Sequence, residues 1–135
     1  MLDITKYVSP GMERTVKKVV SADDTVGNSS LYLEQFLSTS ACINMIVRMA
    51  TDMVDKALPQ GFISVGYHTE ITHEEPTMMG AEVSYKVALE EINGNRLIFN
   101  FQVTDKRGTV SYGKHVRAVV NYPKLLEKAK ERMEK

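Results

Sequence analysis

Apolar positions recur at two different spacings along the chain, and the change of spacing divides it. From Ala41 to Leu58 they return every three or four residues, so Cys42, Met45, Ile46, Met49, Met53 and Ala57 share one face. Ile43, Val47, Ala50 and Val54 widen that face until only Asn44, Arg48, Thr51, Asp52 and Asp55 form a polar strip. The spacing predicts a long helix enclosed on several sides. Ser38-Thr39-Ser40 offers hydroxyls to cap free N–H groups where it begins, and Pro59-Gln60-Gly61 stops it.

Beyond Gly61 the spacing drops to two, the period of a strand. Phe62 to His73 alternates, with Ile63, Val65, Tyr67, Thr69, Ile71 and His73 on one face. Val83, Tyr85, Val87 and Leu89 share a face opposite Glu82, Ser84, Lys86 and Glu90. Asn93-Gly94 predicts a tight hairpin with positive φ at both residues, and Leu97, Phe99, Phe101 and Val103 give the return strand its core face. Asp105 to Gly108 is a looser turn into a last strand built on Val110, Tyr112, Val116, Ala118 and Val120. His115 and Arg117 share the opposite face, which the plain reading makes a polar outer surface. Ahead of the helix, Glu13 to Val20 reads as an edge strand, Ser21 to Ser30 as loop, and Leu31 to Leu37 as a short helix or ordered lid segment. Pro123 to Lys135 reads as a charged amphipathic helix with Leu125, Leu126, Ala129 and Met133 to pack.

The order is therefore strand, loop, long helix, four strands in a meander, and a short helix. A meander has one face to bury, and only one apolar helix here is long enough to cover it. The economical solution is α+β: an antiparallel sheet wrapped around one long central helix, plus a short C-terminal helix, which is the hot-dog fold. The expected organisation is one domain over residues 1–135, with its core at about 13–122 and the C-terminal helix at about 123–134. The other sheet face and the open side of the helix point to a dimer.

Composition narrows the function. The 17 basic and 17 acidic residues cancel, so the chain lacks the basic field that nucleic acid or an acidic membrane surface requires. No apolar run approaches the roughly 18 residues of a membrane span, and Met1 to Lys6 has no signal pattern. One cysteine cannot close an internal disulfide, so the expected location is the reducing cytoplasm. The three histidines and the cysteine have no metal-ligand spacing, and there is no glycine-rich phosphate loop. No metal or separate cofactor is expected.

A few residues could carry chemistry. His73 lies at the end of its strand, on the apolar face; it is either a half-buried core histidine or a general base working near its own pKa. Thr39 is either a plain cap or a hydroxyl set at a helix N-terminus, where partial positive charge can polarise a carbonyl. Gly66 interrupts a strand, which marks a bulge or a close backbone approach. His68 has the opposite parity to His73 and should face solvent or a partner. Cys42 reads as core filler, and Met78-Met79 as either an acyl-channel lining or packing under a loop.

Ser64-Val65-Gly66-Tyr67-His68-Thr69-Glu70-Ile71-Thr72-His73-Glu74-Glu75-Pro76-Thr77-Met78-Met79-Gly80 resembles the central stretch of hot-dog thioesterases of the fluoroacetyl-CoA thioesterase-like group. Asn93 to Phe99, Asp105 to Gly108, the late His-x-Arg strand at His115 to Arg117, and Ser38 to Ala41 at the helix start resemble it in the same order, from about residue 13 to residue 122. The resemblance implies an acyl-CoA thioesterase that works as a homodimer, alone or paired into a tetramer, with its sites at the subunit interface. It implies Thr39 and His73 as catalytic positions, Gly66 as a backbone contact to the acyl carbonyl, and Arg117 as a residue near the acyl or CoA end. CoA would enter only as part of the substrate. One position departs from the pattern: where the group carries a helix glutamate, eight residues past the threonine, this chain has Val47, which can be neither nucleophile nor base. Tyr67 and Lys114 also stand where smaller residues are common. Either His73 with Thr39 suffices, or Glu70, Glu74 or Asp52 substitutes, or the protein is a non-catalytic acyl-CoA or metabolite binder.

Overall fold

The computed structural model describes residues 2–134; Met1, and Lys135 at the end of the predicted last helix, lie outside the described residues. Five strands, β1 (Glu13–Val19), β2 (Phe62–His73), β3 (Glu82–Asn93), β4 (Arg96–Asp105) and β5 (Gly108–Asn121), form one antiparallel sheet in the order β1-β3-β4-β5-β2. Helix α1 (Thr39–Asp55) precedes β2, and α2 (Tyr122–Met133) follows β5. The alternating apolar residues of β3 and β4 and the helix residues Cys42, Ile46, Met49, Ala50, Met53 and Val54 bury one another, as their spacings predict. At about 1.5–3 kcal/mol for each large side chain, this contact dominates the fold. Ile4 and Val8, outside the predicted elements, and Val20, just past the end of β1, also reach the core.

Local chemistry shifts several boundaries. Ser38, fully buried, caps α1: its Oγ accepts from the Ala41 N–H at 3.0 Å and donates to the Val26 carbonyl at 2.7 Å. Thr39 is thus the first helical residue and not the cap, which frees its hydroxyl. The helix ends at Asp55, and the Ala57 and Leu58 N–H groups close tighter i−3 bonds onto Val54 and Asp55. In the β3–β4 hairpin Asn93 pairs with Arg96, so the turn residues are Gly94 and Asn95. Positive φ occurs at Gly94 (63°) and not at Asn95, the pattern of a II′ turn and not the expected I′. The predicted loop after β1 contains a 3₁₀ turn at Ala22–Thr25, and the Leu31 segment forms another at Leu31–Leu33.

Two faces differ from the simple alternation. In β2, Gly66 pairs with Arg117 and His68 with Val116, which leaves Tyr67 as the extra residue of a bulge. The bulge resets parity. Phe62, Ser64 and Gly66 face the helix before it, Thr69, Ile71 and His73 after it, and Ile63 and Val65 turn to the outer face. In β5, Leu97 lies across from Arg117 and Phe99 across from His115. Directly paired residues share a face, and Leu97 and Phe99 are fully buried in the core. His115 and Arg117 therefore lie on the inner face, 1% and 4% exposed, and not on a polar outer surface. Helix α2 corrects a third expectation. Asn121 caps it, but it buries none of its residues; it leaves the sheet at the end of β5, and Leu126 and Met133 stay exposed.

Gly113 and Gly66 separate packing from ligand demands. A Cβ at Gly113 would fall on the Glu70 carbonyl oxygen, with the Phe101 ring at 3.0 Å. Gly113→Ala should lower the thermal midpoint by roughly 5–10 °C. A Cβ at Gly66 would meet only His115 Cε1 at 3.8 Å and Arg117 Nη1 at 4.0 Å. Gly66→Ala should stay within about 2 °C of the parent in the same thermal melts.

Candidate active site

The start of α1 and the end of β2 meet at one end of the sheet. The Leu37 N–H donates to the Thr77 carbonyl at 2.8 Å, which ties the segment before the helix to the loop after β2. Thr39 Oγ1 then lies 2.8 Å from His73 Nδ1. Because Ser38 has taken the capping role, Thr39 can bind the imidazole, and His73 keeps Nε2 for another partner. A cleft of about 330 Å³ covers the pair, with Leu33, Phe36 and Leu37 on its apolar side and Asn28, Glu74 and Glu75 on its polar side. A larger hollow of about 740 Å³, over Lys17, Glu82, Lys106 and Arg107, contains no histidine, so the smaller cleft is the one with chemistry.

Gly66 and Arg117 form a second group. Arg117 donates from Nε to Ser64 Oγ (2.7 Å), from Nη2 to the Ser64 carbonyl (2.9 Å) and from Nη1 to His115 Nε2 (3.1 Å). Ser64 donates its hydroxyl to Asp55 Oδ1 at 2.6 Å, and its N–H donates to the same oxygen at 3.0 Å. A guanidinium only donates, so His115 Nε2 is an acceptor and the proton sits on Nδ1, which donates to Thr69 Oγ1 at 2.7 Å. Burial, reinforced by the Arg117 charge, pushes the His115 pKa down to about 4, so the ring is neutral near pH 7. Burial also lowers the Arg117 pKa, against the pull of Asp55.

The two groups do not meet in one chain. Gly66 and His73 lie seven residues apart on β2, and with the bulge removed that is about 20 Å of strand at roughly 3.3 Å per residue. The other candidates scatter. His68 is exposed on the outer face beside Glu70 (3.7 Å). Asp52 pairs with Arg14 at 3.8 Å on the solvent side of α1. Of the three carboxylates weighed as substitutes for a helix glutamate, only Glu74 lines the cleft. Val47 is half-buried on the helix. Cys42 is fully buried, its thiol pushed up to about 11 by desolvation, which makes it inert filler. Met78 and Met79 are exposed, with Met78 bridged to Phe36. Tyr67 stacks on Arg96 at 3.7 Å outside the sheet. Among the described residues no group of three metal-ligating side chains occurs, and no helix is long and apolar enough to cross a membrane. Sequence reasoning passed over Asp55, Ser64 and Thr69; the one available signal was a glycine inside a strand, which announces a bulge but not who faces whom.

The model of the fluoroacetyl-CoA-specific thioesterase family, FlK, matches residues 20–123. The chain belongs to this family. It is accordingly an acyl-CoA thioesterase on a hot-dog fold. A crystal structure of a hot-dog-like protein from Thermanaerovibrio acidaminovorans is 34% identical, with a TM-score of 0.93 over 97% of each chain. The F36A mutant of the fluoroacetyl-CoA-specific thioesterase FlK, in complex with fluoroacetate and CoA, is 23% identical, with a TM-score of 0.76 over 87% of this chain and 99% of that one. A hypothetical protein of Thermus thermophilus, a thioesterase superfamily member, is 20% identical, with a TM-score of 0.80 over 93% and 96% of the two chains. No curated protein matches the sequence.

The buried imidazole of this thioesterase gives its stability a pH signature. The folded state keeps His115 neutral down to about pH 4, whereas an unfolded histidine takes up its proton near 6.5. Stability is fully present above about 6.5 and falls as the pH drops towards 4, by about 3 kcal/mol. Urea unfolding at a series of pH values should show this limb, and His115→Gln should flatten it above pH 5.

Proposed function

We propose a cytoplasmic, homodimeric thioesterase with two composite sites, each taking Thr39 and His73 from one subunit and Gly66 and Arg117 from the other. The observation that carries this reading is the gap of about 20 Å along β2, an edge strand whose outer edge pairs with no strand among the described residues. Edge-to-edge antiparallel pairing of two β2 strands about a two-fold axis continues the sheet through both subunits. An axis near Glu70 sets Thr69 across from the partner's Ile71 on the inner face. The bulge then brings Gly66 and Tyr67 beside the partner's His73. Helix α1 of each subunit stays on the same side of the joined sheet.

The chemistry follows from the donors and acceptors. His73 Nδ1–H donates to Thr39 Oγ1, which leaves the Nε2 lone pair facing the cleft. The Thr39 hydroxyl is then free to donate to the thioester carbonyl. Water attacks the carbonyl carbon as Nε2 takes its proton. The oxyanion is held by Thr39, by the N-terminus of α1 and by the partner's Gly66 N–H. Collapse breaks the C–S bond, and the imidazolium returns the proton to the CoA sulfur. No metal and no cofactor beyond the CoA of the substrate enters. Support for the substrate class comes from the family and from the FlK complex with fluoroacetate and CoA.

Thiol release from a panel of short, long and aromatic acyl-CoAs tests the chemistry: His73→Ala should lose at least about 100-fold and Thr39→Ala about 10- to 100-fold. Hydrolysis that survives His73→Ala removes the base. Composite sites have a sharper signature. His73→Ala and Gly66→Leu chains, the leucine filling the space that the glycine keeps open, should each be inactive alone and recover about a quarter of parental activity after unfolding and refolding as a mixture, because every mixed dimer holds one intact site. No recovery above the sum of the two means that each site lies within one chain.

A further inference from the structure

We infer that Asp55, Ser64, His115 and Thr69 are positioning residues: one chain of hydrogen bonds, buried at Ser64, Arg117 and His115 and half-buried at its two ends, that holds Arg117 and clamps β2 on both sides of the bulge, so fixing the half of the site that a subunit offers to its partner. This rests on the reading above, in which Gly66 and Arg117 face the substrate.

The direction of every link is set by charge. Asp55 can only accept and receives two bonds from Ser64 (2.6 and 3.0 Å). Arg117 can only donate and gives two bonds to Ser64 and one to His115. His115 Nδ1–H donates to Thr69 Oγ1 at 2.7 Å. No member can flip without leaving another unpaired, which in a core costs about 1–3 kcal/mol. The chain runs from the last residue of α1 through Ser64, ahead of the bulge, to Thr69, after it. Gly66 and Tyr67, the residues that a bulge leaves freest, are thus bracketed on the sequence and roofed by β5.

Packing alone does not call for this arrangement. The neighbours of Arg117 and His115 across the sheet are Leu97 and Phe99, and buried ionic groups in such a core are often replaced by apolar ones at no loss of stability. Two of the five guanidinium N–H donors remain after the three bonds named above. Nη1 lies 4.0 Å from where a Gly66 Cβ would stand, so the glycine keeps open a space floored by a fixed cation. A clamp explains the charge, the glycine and the bulge together.

The test is steady-state thiol release by the dimer, with Thr69→Val as the main variant because it keeps shape and removes only the hydrogen bond. We expect kcat to fall about 10- to 100-fold with KM within about twofold, since misplacement of about 1 Å costs this much. Thr69→Ser should recover to within about threefold of the parent, and Asp55→Leu, which removes the acceptor of both Ser64 bonds, should lose kcat like Thr69→Val. Assays well below the melting point of each variant separate this from unfolding. Unchanged kcat in Thr69→Val, a loss confined to KM, or a Thr69→Ser as poor as Thr69→Val overturns the inference. His73→Ala, run alongside, separates the two readings: activity surviving there takes down both, whereas a dead His73→Ala beside a fully active Thr69→Val takes down only the positioning chain.

Discussion

Strand β2 has to meet the helix with both of its halves, yet a strand of strict alternation offers each face only every second residue. Without the extra residue at Tyr67, either Ser64 and Gly66 or Thr69, Ile71 and His73 would turn outward. The bulge lets both sets face α1, and much else depends on it. Ser64 reaches Asp55 at the end of the helix, while His73 reaches Thr39 at its start. The two ends of α1 are thus tied to the two ends of one strand, with a helix-long gap between the ties.

That gap explains why the polar residues divide as they do. At the Thr39 end the groups are exposed or half-buried and sit in an open cleft, so water and a thioester can both reach the imidazole. At the Asp55 end the groups are buried or half-buried and bonded to one another, so little there is free to move. A reaction that builds negative charge on an oxygen needs a mobile proton carrier and rigid donors, and the two demands conflict within one cluster. Dividing them between the ends of β2 removes the conflict, provided that a two-fold axis brings one end against the other.

How much of this was legible depends on which physical signal is local. The limits of β2, the existence of the long helix, the places of the two β-turns though not the residues or type of the first, and the core faces of β3 and β4 follow from spacing and turn residues, which act within a few positions. Thr39 and His73, picked out by position and by family resemblance, do lie 2.8 Å apart. The facing of His115 and Arg117 was not legible from β5 itself, because Val116 and Ala118 look like the apolar set; only the pairing with Leu97 and Phe99 decides it. The roles of Ser64 and Thr69 depend on the bulge at Tyr67, Thr69 standing 46 residues before the His115 it meets, and that of Asp55 depends on helix length; no local pattern encodes either. The surplus apolar residues of α2 misled for a related reason: amphipathicity states that a face can be covered, not that the same chain covers it.

Val47 can be understood on the same terms. A carboxylate on the helix would stand half-buried among apolar neighbours and would need a partner to remain charged. This chain places Glu74 and Glu75 directly after His73 on the rim of the cleft, where they are exposed. In the proposed mechanism water attacks the carbonyl and His73 Nε2 takes its proton, so no carboxylate is needed as nucleophile or base. A helix carboxylate is dispensable on those terms, whereas the histidine and the hydroxyl that orients it are not.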